Sequence, residues 1–586
     1  MRLRTHLFSS MRHLSQLAVF ASLAAVSCGE NSSVPDMLAP DLVVHGGKII
    51  TVDNDFRVVS AVAIKDGRFV AVGDEDQILP LRGVATHVID LEGRTVIPGV
   101  IDSHIHAFGY GLDRSSLNFA TGEMLTLEGI LEHVRGRAAQ TPPGEWIVAR
   151  GPFSLEFVRE GRLPDRYELD EVAPDNPFYM NTQGHDGNVN SLALEMAGIT
   201  RETPDPVGGT IVRDEDGVPT GELLEEFAWG PVERLTPVPT REDMVEAARL
   251  AVEGLNAAGI TSLVDMDGPL SESRDKIEIL NQLEANGDLT IRWHVLTRFR
   301  GTEYANASAE VIDEAVRDIG APSGFGSEWV RIAGIKLSLD GGVQGAYMRE
   351  PYAEEQFGAG YRGILRGWDK ESLKLVMRSA HKYGVRMFVH CVGDAALDLA
   401  LDAMDEVDDE LPLLGLRWTL EHAGLKPTER NLEQAKRLGV VISTQQPMGW
   451  TIGKSFKRMW GDELGSNWMP NKTWVDAGVV VKGGSDVAPI DPMLGLWTYV
   501  TREDITGAVS DPIERVSREE ALRMYTINGA YGTFQEEMLG SIEVGKLADL
   551  VILGGDPLTV PIDEIRDIPI LVTIAGGQIV YEADSP

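Results

Sequence analysis

The segment Val96-Ile-Pro-Gly-Val-Ile-Asp-Ser-His-Ile-His106 decides both the fold and the site of this chain of 586 residues. Its apolar residues predict a buried β-strand that ends in two histidines, two positions apart. Alternate side chains of a strand point to the same face, so His104 and His106 should point at one place. Two imidazoles on a rigid strand suit a divalent metal, although ordinary polar residues at a strand end would give the same pattern.

Composition sets the broad class of the protein. A chain of this length exceeds one simple core, and a hydrophobic content of 43% is typical of a globular body. The 53 basic and 90 acidic residues give a net charge of -37, which disfavours nucleic acids and acidic membrane surfaces as partners. A small-molecule substrate is expected from the polar residues at the predicted strand ends and not from the charge, and the sequence is compatible with an oligomer.

The N-terminus has the pattern of an export signal. Three arginines and no acid precede the apolar run 17–26, which is too short to span a membrane comfortably. The following Ala25-Val-Ser-Cys28 resembles a bacterial lipoprotein signal, with Cys28 as the lipidated residue. We predict a signal peptide over 1–27, a tether over 28–40 and an exported protein that contacts the membrane, periplasmic or cell-surface, only through this lipid anchor. Cleavage by an ordinary signal peptidase, giving a soluble secreted protein, is the alternative.

Repeating strands and helices predict an α/β fold. Short strands at both chain ends, 41–97 and 538–586, predict a composite β-sandwich. Between them, eight apolar strands alternate with helical segments, which predicts a (β/α)₈ TIM barrel over 98–537. The first connection is too long for one unit, so an insertion of about 110–240 is expected over the barrel mouth.

Six polar residues lie at or near the ends of the predicted barrel strands, where barrel active sites are built. Singly, each has an ordinary interpretation as a core histidine, a surface lysine or a helix N-cap. Together, imidazoles and a carboxylate favour Zn²⁺, and a lysine can join them as an uncharged amine or as a carbamate formed with CO₂. The residues are His104, His106, Lys336, His390, His422 and Asp486.

The chain resembles the amidohydrolase superfamily, in its YtcJ-like branch, amidohydrolase family 3. The matching motifs include Pro98-Gly-Val-Ile-Asp-Ser-His-Ile-His106, Gly184-His-Asp-Gly-Asn188, Lys336-Leu-Ser-Leu-Asp-Gly341, His390-Cys-Val-Gly-Asp394, Glu421-His422, Gly484-Ser-Asp486 and Gly540-Ser-Ile-Glu-Val-Gly545. The loop Gly341–Met348 departs from the family pattern by lacking its usual arginine, which leaves the substrate undefined.

The resemblance implies a metal-dependent hydrolase that carries one or two divalent ions, with zinc expected. His104, His106, His390, His422 and Asp486 become metal ligands, and Lys336, carboxylated, a bridging ligand. Asp486 is also expected to act in catalysis by handling protons, and His185 by contacting the substrate.

The expected reaction is hydrolysis of a non-peptide C–N bond of amide, N-acyl or N-formyl type. Metal-bound hydroxide would attack the carbonyl carbon while Asp486 shuttles the proton to the leaving nitrogen. An ester or lactone hydrolase and a non-catalytic solute-binding lipoprotein are the alternatives. Deamination is disfavoured because His390-Cys-Val-Gly393 lacks the glutamate usual in deaminases of this superfamily.

Overall fold

The computed structural model describes residues 37–584, except 120–124, 151–157, 183–185, 207–208, 225, 267, 269, 354–359 and 488. The predicted signal peptide, Cys28 and most of the tether lie outside the described residues. Within them, no helix is long and apolar enough to cross a membrane.

Eight parallel strands form a nearly closed barrel, numbered here from 1 to 8 in chain order. A further parallel bridge joins Ile105 to Asp486, so the segment after strand 8 lies against the end of strand 1. The carboxyl ends of all eight strands therefore meet at one mouth. The strands are Val100–Ile105, Ile260–Asp265, Arg292–Phe299, Val330–Ser338, Met387–Cys391, Thr419–His422, Val441–Thr444 and Val481–Gly483.

One helix of the barrel region shows how sequence signals set its start and end. Glu429–Leu438 starts after Thr428, whose side chain accepts from the amide of Asn431, and ends at Gly439 in the left-handed conformation. The other helices here are Ala107–Ser115, Arg241–Ala257, Leu270–Asn286, Gly301–Tyr304, Ala309–Arg317, Lys370–Tyr383, Asp394–Asp408, Gln446–Trp460, Asp462–Ser466, Asn471–Asp476, Pro492–Thr501, Arg518–Met524 and Ile527–Gly532.

A second sheet of eight strands is assembled from both chain ends. The strand Thr95–Pro98 lies at its centre, antiparallel to Leu550–Leu553 and parallel to Leu42–Ile50. The prediction of one continuous strand through Val96–His106 is wrong, because the chain changes sheets at Gly99. A Cβ at this position would lie 2.2 Å from the Thr261 hydroxyl oxygen, so the close approach here requires glycine. The remaining strands are Val58–Lys65, Arg68–Gly73, His87–Asp90, Ile570–Ala575 and Gln578–Glu582, and a short helix spans Glu75–Ile78.

The insertion after strand 1 contains a third sheet of six strands. A barrel with a composite sheet domain and an insertion after the first barrel strand is the predicted fold class, and it is confirmed. The strands of the insertion are Leu117–Asn118, Ile147–Arg150, Phe178–Thr182, Asp186–Val189, Thr210–Arg213 and Pro219–Leu224; its helices are Leu127–Ala138, Arg166–Val172, Ser191–Met196 and Glu226–Glu233.

Candidate metal centre

Two histidines and one aspartate meet at the barrel mouth. One potential ligand atom from each of His104, His106 and Asp486 lies within 4.8 Å of the other two. The Asp486 Oδ1 atom is 3.7 Å from His104 Nε2 and 3.2 Å from His106 Nε2. Ligand bonds of about 2.0–2.1 Å to one tetrahedral ion place donor atoms roughly 3.4 Å apart, so this donor set fits a divalent metal. The His106 side chain is 27% exposed, which leaves the group accessible from solvent.

The segment Gly484–Asp486 is fastened directly to strand 1. The amide of Asp486 donates to the His104 carbonyl over 2.7 Å, and the Ser485 hydroxyl donates to Asp102 over 2.6 Å. Gly484 allows this approach, because a Cβ there would lie 2.7 Å from the His104 amide nitrogen. Asp486 itself has a φ of 59°, an uncommon conformation that these contacts hold in place.

The histidines of strands 5 and 6 extend the same cluster. The ring centroid of His422 is 4.8 Å from that of His104 and 4.4 Å from that of His390. His390 Nε2 is 3.0 Å from the Gly341 carbonyl, which can only accept, so this nitrogen donates and Nδ1 keeps its lone pair. The backbone of His422 has a φ of 70°, so a second residue of the cluster is in the left-handed region.

A buried aspartate, Asp340, holds the loops beside His390. Its carboxylate accepts from the amides of Tyr347, Val392 and Gly393 at 2.8–3.0 Å, and its Oδ1 is 3.6 Å from His390 Nε2. Burial raises the pKa of Asp340 to about 7. This residue therefore ties the loop after strand 4 to the loop after strand 5.

His104 is oriented from inside the barrel by Glu421. Its Nδ1 lies 2.5 Å from Glu421 Oε2, which leaves Nε2 facing Asp486. Burial favours the neutral form of Glu421, but the charge of Lys482 and the contact with His104 outweigh it and lower the pKa of Glu421. A carboxylate behind a metal-binding imidazole is the arrangement that fixes the ring and its tautomer.

The imidazoles are held neutral and the carboxylate is held ionised. Burial is the main cause that lowers the pKa of His104, His390 and His422, the last to about 3. Burial would raise the pKa of Asp486, but the adjacent histidines together keep it well below its ordinary value. Neutral imidazoles and an ionised carboxylate are the forms that bind metals.

Lys336 lies in the barrel lumen and is almost fully buried. Its Nζ is 3.8 Å from the sulfur of Met266, and burial lowers its pKa. Its charge also acts on His104, His390 and His422, so the amine belongs to the same electrostatic cluster. His185, the remaining predicted site residue, lies outside the described residues.

Sequence reasoning missed the groups that support the cluster. The sequence around Glu421, Asp102, Asp340 and Lys482 does not indicate that these residues support the histidines. A signal exists for Lys482, because it is a charged residue directly after the apolar run Val479–Val481.

A barrel with histidines, a lysine and an aspartate at its mouth is the architecture of metal-dependent hydrolases. A family model described as "Amidohydrolase family" matches residues 87–581, and the chain belongs to this family. The predicted family and enzyme class are thus confirmed, and so is the prediction of a metal-dependent hydrolase that acts on a small molecule.

Relatives match nearly the whole chain. An N-substituted formamide deformylase from Arthrobacter pascens is 31% identical over 559 residues, covering 92% of this chain and 98% of the relative. YtcJ from Bacillus subtilis (strain 168) is 29% identical over 561 residues, covering 92% and 99%. The crystal structure of an uncharacterized metal-dependent hydrolase from Pyrococcus furiosus aligns with a TM-score of 0.66 and 26% identity, covering 88% of this chain and all of that one.

Proposed function

We propose that this protein hydrolyses the C–N bond of N-substituted formamides or related N-acyl amines. The observation that carries the proposal is the convergence of His104, His106 and Asp486 at the barrel mouth. The substrate class is supported by the relative of 31% identity, whose name specifies an N-substituted formamide.

We assign zinc as the metal, held by His104, His106 and Asp486. His390 and His422 would hold a second ion, and Lys336, as a carbamate formed with CO₂, would add a further oxygen ligand. Buried, neutral amines are the form that reacts with CO₂, and burial lowers the pKa of Lys336 in that direction. When bound, the metal supplies an activated water at neutral pH and polarises the scissile carbonyl.

The chain's own residues move the proton. Asp486 is ionised near neutral pH and is positioned by backbone contacts to strand 1, so its carboxylate can accept a proton from the attacking water. It then returns that proton to the nitrogen that leaves. His185 is assigned to the substrate carbonyl because its motif belongs to the insertion over the mouth.

The test combines metal content with substrate hydrolysis. Elemental analysis of the wild-type protein should give one or two equivalents of zinc, and His104→Ala should lose most of it. A panel of N-alkyl formamides, N-acetyl amines, esters and lactones then identifies the bond; formate release from the formamides is the expected result. The control is His133→Ala, which removes an exposed histidine on the helix Leu127–Ala138.

Wild-type protein that contains no metal would contradict the metal assignment. Turnover confined to esters and lactones would contradict the assignment of a C–N bond. Equal zinc in His104→Ala and His133→Ala would contradict the ligand assignment.

We also propose export and anchoring through Cys28, on the evidence of the N-terminal sequence alone. Mass spectrometry of the mature N-terminus tests this. A diacylated Cys28 that is lost in Cys28→Ser supports the anchor, and an unmodified N-terminus elsewhere contradicts it.

A further inference from the structure

Lys482 is a fully buried lysine inside the barrel, on strand 8. Its Nζ donates to the Ser103 carbonyl over 3.2 Å and lies 5.2 Å from the centre of the Phe388 ring. Its stem packs against Gly532, where a Cβ would come within 2.8 Å of Lys482 Cδ. Burying an ammonium costs several kcal/mol unless a nearby charge offsets it, so a lysine at this position calls for a partner.

The partner is Glu421. Among the described residues, its Oε1 is the carboxylate oxygen paired with the Lys482 ammonium, at 3.8 Å, and both side chains are 0% exposed. This oxygen accepts no hydrogen bond from the described residues. Lys482 is therefore the buried counter-charge that faces Oε1 of Glu421, while the other carboxylate oxygen faces His104.

The contact between Glu421 and His104 determines which ring nitrogen of His104 faces the metal centre. Its other oxygen, Oε2, lies 2.5 Å from His104 Nδ1. A carboxylate can only accept, so Nδ1 carries the proton and Nε2 presents its lone pair toward Asp486.

We propose that Lys482 is a positioning residue of the metal centre: as the buried counter-charge beside Glu421, it holds this carboxylate in place, and Glu421 in turn holds the His104 ring with Nε2 toward Asp486. This proposal rests on the proposed function, because it takes His104 as a metal ligand. Lys482 touches neither substrate nor metal in this arrangement, and its role is electrostatic.

The experiment measures zinc affinity of the metal-stripped protein by competition with a chelating indicator. Lys482→Met keeps the length of the side chain and removes its charge. We expect it to bind zinc about 10–100-fold more weakly than wild type, the range typical of lost support behind a metal-binding histidine. Lys374→Met is the matched control, because Lys374 is also a buried lysine paired with a glutamate, Glu406, but lies on the helix Lys370–Tyr383. It should retain wild-type affinity.

A double-mutant cycle separates this role from a purely structural one. Glu421→Gln removes the carboxylate through which Lys482 acts, so Lys482→Met should weaken zinc binding no further in that background. The double variant buries two neutral side chains and leaves no unpaired charge, so it can be studied even where Lys482→Met alone does not fold. Its zinc affinity is compared with that of Glu421→Gln.

The outcomes are distinct. A folded Lys482→Met protein with zinc affinity within twofold of wild type overturns the proposal, as does an equal loss in both backgrounds of the cycle. Failure of the wild-type protein and of Lys374→Met to bind zinc would instead overturn the proposed zinc centre.

Discussion

At the residue scale, Asp486 is assigned two roles in the proposed mechanism, metal ligand and proton carrier, and its surroundings suit both. Three histidines keep its carboxylate ionised, while backbone contacts hold an uncommon φ. The residue type and its place after strand 8 were predictable from sequence. The hydrogen bonds that orient the imidazoles were not, because they join residues as distant in sequence as His104 and Glu421.

Replacing Asp486 by asparagine tests the proton role. The amide can still offer an oxygen but cannot accept the proton, so kcat should fall about 10²–10⁴-fold. Steady-state kinetics on the best formamide, with zinc content measured on the same sample, provide the readout. Retained zinc with undiminished kcat would rule out Asp486 as the proton carrier.

His294 predicts a pH dependence of stability that is separate from the metal centre. It is buried, its Nε2 contacts Gln535 Oε1 at 2.9 Å, and burial lowers its pKa from 6.5 to about 3. At pH values between about 3 and 6.5, His294 is protonated in the unfolded chain and neutral in the folded chain. Folded stability therefore falls as pH drops below about 6.5, by roughly 1.4 kcal/mol per pH unit.

His294→Gln should remove this dependence while keeping a donor toward Gln535. Between pH 7 and 5 the metal-free wild type should lose about 2 kcal/mol more unfolding free energy than the variant. Urea unfolding at several pH values measures the difference. Parallel pH profiles for the two proteins would show that the pKa of His294 is the same in the folded and the unfolded chain.

At the scale of elements, strand 1 and the segment after strand 8 form one unit. Gly99 lets the chain leave the composite sheet and enter the barrel, and Gly484 lets the last segment reach His104. The alternation of strands and helices was readable from hydrophobic pattern and caps. A domain boundary at residues 97 and 98 was also expected, but the interruption of the strand at Gly99 was not, because the apolar residues on both sides continue the same pattern while their partners lie far along the chain.

Gly484→Ala should damage this unit by crowding. The added Cβ would lie 2.7 Å from the His104 amide nitrogen and 2.9 Å from the His104 Cβ, so the backbone must shift. We expect a loss of about 1–3 kcal/mol in unfolding free energy together with weaker zinc binding. Thermal unfolding and zinc titration measure the two effects.

Gly136→Ala is the control for that substitution. It lies in the helix Leu127–Ala138, and a Cβ there meets nothing within 4 Å. Alanine should be neutral or stabilising by up to about 1 kcal/mol. Equal melting temperature and zinc affinity of Gly484→Ala and Gly136→Ala would mean that the close approach of Gly484 to His104 is not needed.

At the scale of the whole molecule, a buried ion pair joins the barrel to the composite sheet domain. Arg292 of strand 3 makes two hydrogen bonds of 2.9 Å to the Asp549 carboxylate, and both side chains are nearly inaccessible. The barrel and the pairing of the chain ends followed from sequence pattern. This link did not, because nothing in the sequence around Asp549 indicates that Arg292 is its partner.

Asp549→Asn should destabilise the protein by about 3–5 kcal/mol, because it leaves a buried guanidinium without its counter-charge. Asp288→Asn, which breaks an exposed pair with Arg249, should cost less than about 1 kcal/mol. Thermal unfolding of both variants checks the contrast. Similar melting temperatures would show that the link to the composite domain contributes little stability.

The bridge between Ile105 and Asp486 also has a consequence for biosynthesis. Its partners are separated by most of the barrel sequence, and strand 1 is preceded by a strand that pairs with Leu550–Leu553 near the chain end. A chain emerging from the ribosome therefore has His104 and His106 long before it has the groups that face them. Assembly of the complete ligand set is a late event, and an ion captured earlier would be held by the two histidines alone.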